Sequence, residues 1–139
     1  MISVYLAHNF NARHWLKKQI VPALEKKGIA VTARWLHETD DEEISPSKRA
    51  QAAIRDLIDI DRAKVLIAFL DRWDGLQGAG KHFELGYATA IQKQVILFGP
   101  EKQKHMIFHF LPKYDRVESV SELISLLLGE RKKNDIQGI

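Results

Sequence analysis

The chain has 139 residues, 45% of them apolar and 28% charged, which suits one globular domain with a buried core and argues against disorder. Its 21 basic side chains face 18 acidic ones, giving a net charge of +3 and a pI near 9.2. That mild excess tolerates an anionic ligand but lacks the clustered basic face of a nucleic-acid binder, so no nucleic-acid partner is expected. There is no cysteine, which excludes disulfides and thiolate metal sites and makes a cytoplasmic location natural. No signal-length apolar run follows Met1, and the longest apolar stretch, 65–70, is too short to span a bilayer.

Residues 2–7 open the chain as an apolar run of strand length, and 29–35, 65–70 and 95–98 repeat the pattern. Their Val, Ile and Phe content predicts strands covered on both faces. Between the first two, 11–27 sets Trp15, Leu16, Ile20, Ala23 and Leu24 at helical spacing. Pro22 should kink or split that helix and Gly28 should cap it. Ser45-Pro46 is a strong helix start, and the helix it opens carries Ala50, Ala53, Ile54, Leu57 and Ile58 on one stripe. A third helix over 81–92 leaves the turn Gly78-Ala79-Gly80. The capping box from Ser119 to Glu122 opens a last helix that stops at Gly129. This order predicts an α/β fold: a doubly wound, mostly parallel sheet of four or five strands flanked by helices, Rossmann-like or flavodoxin-like. Ligands bind such sheets beyond the carboxyl ends of the strands, which selects the loops at 8–11, 37–44 and 71–81.

Glu84 is the candidate for chemistry. The spacing puts it in the first turn of the third helix, where the helix dipole and free amides favour an ionised carboxylate. A positioned carboxylate is what attack on an anomeric carbon requires, although acidic first turns are also common as plain dipole partners. Asp56 falls at the edge of its helix's apolar stripe, which fits a partly buried polar role as well as a solvated charge. Asp59 points off the stripe and is expected to be ordinary surface. Asp61 would fall among apolar positions, so the helix is expected to end near Ile60.

The residues from Asp56 to Pro100 resemble the nucleoside 2-deoxyribosyltransferase superfamily, which includes deoxynucleoside-monophosphate N-glycosidases. Arg55-Asp56-Leu57, the strand at 65–69, Phe83-Glu84-Leu85-Gly86-Tyr87-Ala88 and Lys93-Gln94-Val95-Ile96 carry the likeness. Ile107-Phe108-His109-Phe110-Leu111-Pro112 is similar to small, often phage-borne members, and the likeness extends over most of the chain. The resemblance implies that Glu84 attacks C1′ of the sugar and forms a covalent glycosyl-enzyme, and that Asp56 helps to hold sugar and nucleophile. It implies a substrate-binding role for Tyr5, His8, Asn9 and Phe10 at the end of the first strand, and for Tyr87. Trp73 can stack on a base, or anchor its loop. Gly78, Gly80 and Lys81 offer amides and an ammonium to a 5′-phosphate at the helix N-terminus, though Gly-x-Gly alone is a weak signal.

Two departures redirect the reading. Classical transferases carry an aspartate six residues before the nucleophile, where this chain has Gly78, and many relatives carry an acid where it has Lys64. The general acid is thus unassigned, and hydrolysis of a nucleoside or its 5′-monophosphate is favoured over base transfer. A nucleotide sensor without catalysis and an NAD-cleaving enzyme are the alternatives. His82, His105 and His109 form no recognised metal spacing, so neither metal nor cofactor is expected. Residues 1–129 form the expected domain and 130–139 a polar tail. A homodimer or higher homo-oligomer is expected, with 107–111 as a candidate seam.

Overall fold

The strand Ser3–Ala7 (β1) is covered on both faces, with Val4 to Ala7 fully buried, and everything else is arranged around it. The computed structural model describes residues 1–39, 45–70, 79–100 and 107–130. β1 pairs in parallel with Ala30–Val31 (β2) on one side and Val65–Phe69 (β3) on the other, with Tyr5 opposite Leu66. Gln94–Phe98 (β4) and Asp115–Val117 (β5) continue the sheet, giving the order β2-β1-β3-β4-β5, all parallel. That is a flavodoxin-like winding, whose strand order reverses between β1 and β3. The crevice beyond their carboxyl ends is where the fold places a ligand.

Pro22 splits the first helical stretch as the sequence predicts. A 3-10 turn Phe10–Ala12 leads to Arg13–Trp15 (α1), a π turn Leu16–Ile20, and Val21–Glu25 (α2), with Pro22 in the first turn of α2. Proline has no N–H to give the preceding turn, so the break falls there. Leu16, Ile20 and Leu24 are fully buried in the core, whereas Trp15, 39% exposed, meets the core edge-on at Phe69. Gly28, at φ +76°, turns the chain toward β2. Ser45 caps Pro46–Arg62 (α3) by accepting from the Lys48 amide at 3.2 Å. Ala79–Ala90 (α4) follows β3, and Ser119 caps Val120–Leu127 (α5), which ends before Gly129 at φ +73°.

Four expectations are corrected. The strand expected over 29–35 is only two residues long in its ladder. After Thr32 the chain turns into a 3-10 segment, Arg34–His37, fastened by the Arg34 amide on Asp59 Oδ2 and by Trp35 Nε1 on the Leu6 carbonyl, both 2.9 Å. Asp59 is therefore not surface: it is 1% exposed and is bonded again by Arg34 Nε at 2.9 Å. The expected apolar stripe of α3 is its core face only in part: Leu57 packs against the core, whereas Ala50, Ala53, Ile54 and Ile58 are exposed. Beside Leu57 the inward face carries Asp56, Asp59 and Ile60, and the two acids are invisible to a hydrophobic pattern. Finally, α3 does not end at Ile60. It continues to Arg62, and Asp61 stays in solvent, accepting from the Tyr87 hydroxyl at 2.7 Å. Among the described residues no helix is long and apolar enough to cross a membrane.

Candidate active site

A cavity of about 430 Å³ opens beyond the carboxyl ends of β1 and β3. The turn after β1 contributes His8, Asn9 and Phe10; α3 contributes Ala52, Ala53, Asp56 and Leu57; α4 contributes Gly80, Lys81, Phe83 and Glu84. Trp35 and Glu38, just past β2, close the remaining side.

Glu84 is held by its neighbours more than by its helix. α4 begins at Ala79, so Glu84 lies in the second turn and the first turn contains no acid. The expectation of an ionised carboxylate favoured by free amides is thereby corrected, since those amides lie a turn away. Burial dominates instead and pushes the Glu84 carboxyl up to about 8, helped by the nearby Asp56 and opposed by a hydrogen bond from Tyr5. The Tyr5 hydroxyl donates that bond to Glu84 Oε2 in a very short contact. Tyr5 itself is fully buried in β1, and burial together with the Glu84 and Asp56 charges drives its pKa far above the ordinary phenol value. It therefore keeps its proton and remains a donor.

Asp56 also has a raised pKa, from burial first, against the pull of Arg55, whose Nη2 lies 3.4 Å from Asp56 Oδ1. Arg55 pairs at the same time with Glu38. His8 is buried, stacked on Phe69 with ring centroids 5.4 Å apart and met edge-on by Trp15. Its Nδ1 accepts the Asn9 amide at 2.8 Å, which assigns the proton of a neutral ring to Nε2. Lys81 is buried, and its ammonium donates to the Phe69 carbonyl at 2.8 Å, pinning α4 to the end of β3.

The cavity thus gathers His8, Asn9, Phe10, Asp56, Gly80, Lys81 and Glu84, and Tyr5 joins them through Glu84. Tyr87 is a correction: its hydroxyl is on Asp61, at the far end of α3, and it does not line the cavity. Trp73 and Gly78 lie outside the described residues. Sequence reasoning missed Trp35, Glu38 and Phe83. The loop rule had selected the segment holding Glu38, while the strand expected over 29–35 concealed Trp35. It also missed that His82 and His109 meet, with Nε2 atoms 3.1 Å apart, although they are 27 residues apart in sequence. His109 is buried in the 3-10 turn Ile107–Phe110, where a loop was expected, and His105 lies outside the described residues. Among the described residues no three His, Asp or Glu side chains are grouped to hold a metal ion.

Fold and cavity together define an α/β protein with a small-molecule site at the switch point of a parallel sheet. The family model for nucleoside 2-deoxyribosyltransferases matches residues 4–129, and the chain belongs to that family. The fold is similar to that of a 2-deoxyribosyltransferase from Bacillus psychrosaccharolyticus, at TM-score 0.69 and 21% identity, over 87% of this chain and 89% of that one. It is also similar to a CMP N-glycosidase from Clostridium botulinum, at TM-score 0.58 and 23% identity, over 90% of this chain and 97% of that one. A 2-desoxiribosyltransferase from Leishmania mexicana aligns at TM-score 0.53 and 20% identity, over 70% of this chain and 64% of that one. No curated protein matches the chain in sequence. The chain is thus an enzyme of the nucleoside 2-deoxyribosyltransferase family.

Proposed function

We propose that this enzyme hydrolyses the N-glycosidic bond of a nucleoside or nucleoside 5′-monophosphate through a covalent glycosyl–Glu84 intermediate. The observation that carries the reading is the partly buried Glu84 carboxyl in the cavity, with the Tyr5 hydroxyl directed at one of its oxygens. In the first step the ionised carboxylate attacks C1′, the C1′–N bond breaks and its electron pair leaves with the base. Asp56 on the cavity wall, whose pKa burial raises, can hold the proton the base takes up, and the His8 Nε2–H can donate a hydrogen bond to the substrate. Water then attacks C1′ and gives its proton to the Asp56 carboxylate left by the first step, while the C1′–Glu84 ester bond breaks, freeing the sugar and restoring the Glu84 carboxylate. A desolvated carboxylate offsets the oxocarbenium-like charge far better than a hydrated one. The Tyr5 hydrogen bond keeps the attacking oxygen in place and supports its charge.

Hydrolysis is preferred to transfer because Gly78 stands where classical transferases carry an aspartate. A homodimer is part of the proposal. Ile107, Phe108 and Phe110 are more than half exposed on the expected seam, and Ile54 and Phe83 add apolar surface near the cavity. The test is a panel of nucleosides, nucleoside monophosphates and NAD, scored by released base for wild type and Glu84→Gln. Release by wild type alone supports the reading. Equal release by both proteins overturns Glu84 as nucleophile, and tight binding with no release by wild type overturns the glycosidase.

A further inference from the structure

One end of the cavity joins two rings to an anchored carboxylate. Phe10 and Trp35 approach with centroids 6.4 Å apart and planes tilted by 39°. Glu38 lines the cavity with them, its carboxylate paired with Arg55. Arg13, only 3% exposed, donates to the Glu38 carbonyl at 3.0 Å and to the Phe10 carbonyl at 3.2 Å. Its guanidinium also lies over the Phe10 ring, 4.1 Å from the centroid. Ring and carboxylate are thus fixed to one another by two arginines.

Displacement at C1′ puts the nucleophile and the departing base on opposite sides of the carbon. Glu84 is carried by the helix after β3, whereas Trp35 and Glu38 follow β2, on the other side of β1. A sugar placed with C1′ against Glu84 therefore directs its base toward Phe10, Trp35 and Glu38, where aromatic faces stack on it and the carboxylate meets its edge. An ionised carboxylate only accepts hydrogen bonds. The exocyclic amine of cytosine or adenine satisfies it, while the carbonyl at the same place in uracil or hypoxanthine sets two acceptors against each other.

We propose that Glu38 reads the base and selects nucleosides whose base carries an exocyclic amine on its pairing edge. This rests on the N-glycosidase reading, because that chemistry places the base at this end of the cavity. Arg55 is the positioning residue, leaving one Glu38 oxygen for the ligand.

The test is calorimetric binding of cytidine against uridine, and adenosine against inosine, each also as the 2′-deoxynucleoside, to Glu84→Gln protein that cannot turn over. The amine-bearing member of each pair should bind about 10- to 100-fold more tightly, the range of one charge-assisted hydrogen bond. Adding Glu38→Gln should bring each ratio within about threefold, since an amide both donates and accepts. Adding Glu38→Asp, which keeps the charge on a shorter arm, should preserve the direction of the preference even if the Gln variant folds poorly. Equal affinity within both pairs, or a preference unchanged by Glu38→Gln, overturns the assignment. Wild-type turnover separates the two readings. Selective binding with no base released from any nucleoside or nucleoside 5′-monophosphate overturns the glycosidase alone, and release from cytidine and uridine at equal kcat/KM overturns the role of Glu38 alone.

Discussion

Asp59 is wholly and Glu84 partly withdrawn from water, and the fold treats the two carboxyls in opposite ways. Asp59 is met by a guanidinium and a backbone amide, both from Arg34, at 2.8 to 2.9 Å. Glu84 receives, among the described residues, one phenol and no cation, and it faces a second carboxylate instead. Pairing a buried charge with a cation and an amide holds structure together. Withholding the cation leaves the charge unstable and therefore reactive, because only a bound proton or a developing positive charge in the cavity relieves it. The first arrangement turns the chain from β2 toward α3, and the second sits at the switch point where the fold presents a ligand.

The sharpest way to break this contrast is Glu84→Gln. Turnover should fall by at least about 10⁴-fold, as expected when a nucleophile is removed, with the fold intact. The pH dependence carries its own sign. With the folded pKa near 8, Glu84 is mostly protonated in the empty enzyme at neutral pH, so kcat/KM should rise with pH as Glu84 ionises and fall again where Asp56 has lost the proton it gives to the base. Stability should run the other way. The folded state holds the Glu84 proton more tightly than the unfolded chain does, so wild type loses stability as pH rises from the unfolded value of 4.5 to about 8. Glu84→Gln has no proton to lose. It should gain on wild type across that window by at most about 3–5 kcal/mol, read from urea midpoints at each pH. A gap that is constant with pH would show that Glu84 is not raised.

Asp59→Ala should do the reverse, with a smaller effect. Removing the acceptor for the Arg34 amide and guanidinium should cost about 2–3 kcal/mol of stability by urea denaturation. The rate of the protein still folded should change little, since Asp59 does not line the cavity. A larger loss in kcat/KM than in stability would make Asp59 part of the catalytic machinery and dissolve the contrast.

Lys81→Ala comes next. The buried ammonium holds the Phe69 carbonyl, so its loss should loosen α4 and lower kcat/KM by about tenfold for nucleosides and nucleoside monophosphates alike. A loss confined to monophosphates would restore the reading in which Lys81 binds a 5′-phosphate.

Much of this was legible in the sequence, and the illegible parts share a cause. β1, β3 and β4 are continuous apolar runs, and Ser45, Ser119, Pro22, Gly28 and Gly129 mark helix boundaries by local chemistry that needs no tertiary context. β5 was not singled out, because Asp115 and Arg116 break the apolar pattern at a sheet edge. α3 misled for the converse reason: its inward face uses Asp56, which faces the cavity, and Asp59, whose partner Arg34 lies on another element, and its outward face carries Ile54 and Ile58. The pattern of hydrophobicity reports burial only where burial is apolar. At the site, Glu84 and Asp56 were found through the family motif. Tyr5 needed the register of β1 beside β3 to explain its reach, and Glu38, Trp35 and Arg55 needed the turn after β2 that replaces the expected strand.

Tyr87 supplies the smallest effect and the cleanest control, because sequence and structure disagree about it. It sits three residues after Glu84 in the family motif, and that proximity suggested contact with substrate. In the structure α4 starts beside the cavity and runs back toward the amino ends of the strands, carrying Tyr87 to the C-terminal turn of α3. There the Asp61 hydrogen bond is the main influence raising the phenol's pKa. Lys93 fastens the same corner by donating from Nζ to the Asp61 carbonyl at 2.8 Å. Tyr87→Phe keeps the ring that packs on the core and removes only the hydroxyl. Turnover on every substrate of the panel should therefore stay within about twofold of wild type, with at most a slight fall in melting temperature. A tenfold drop in kcat/KM with the melting temperature unchanged would mean that substrate reaches past Glu84 along α4, and the cavity at the switch point would be only part of the site.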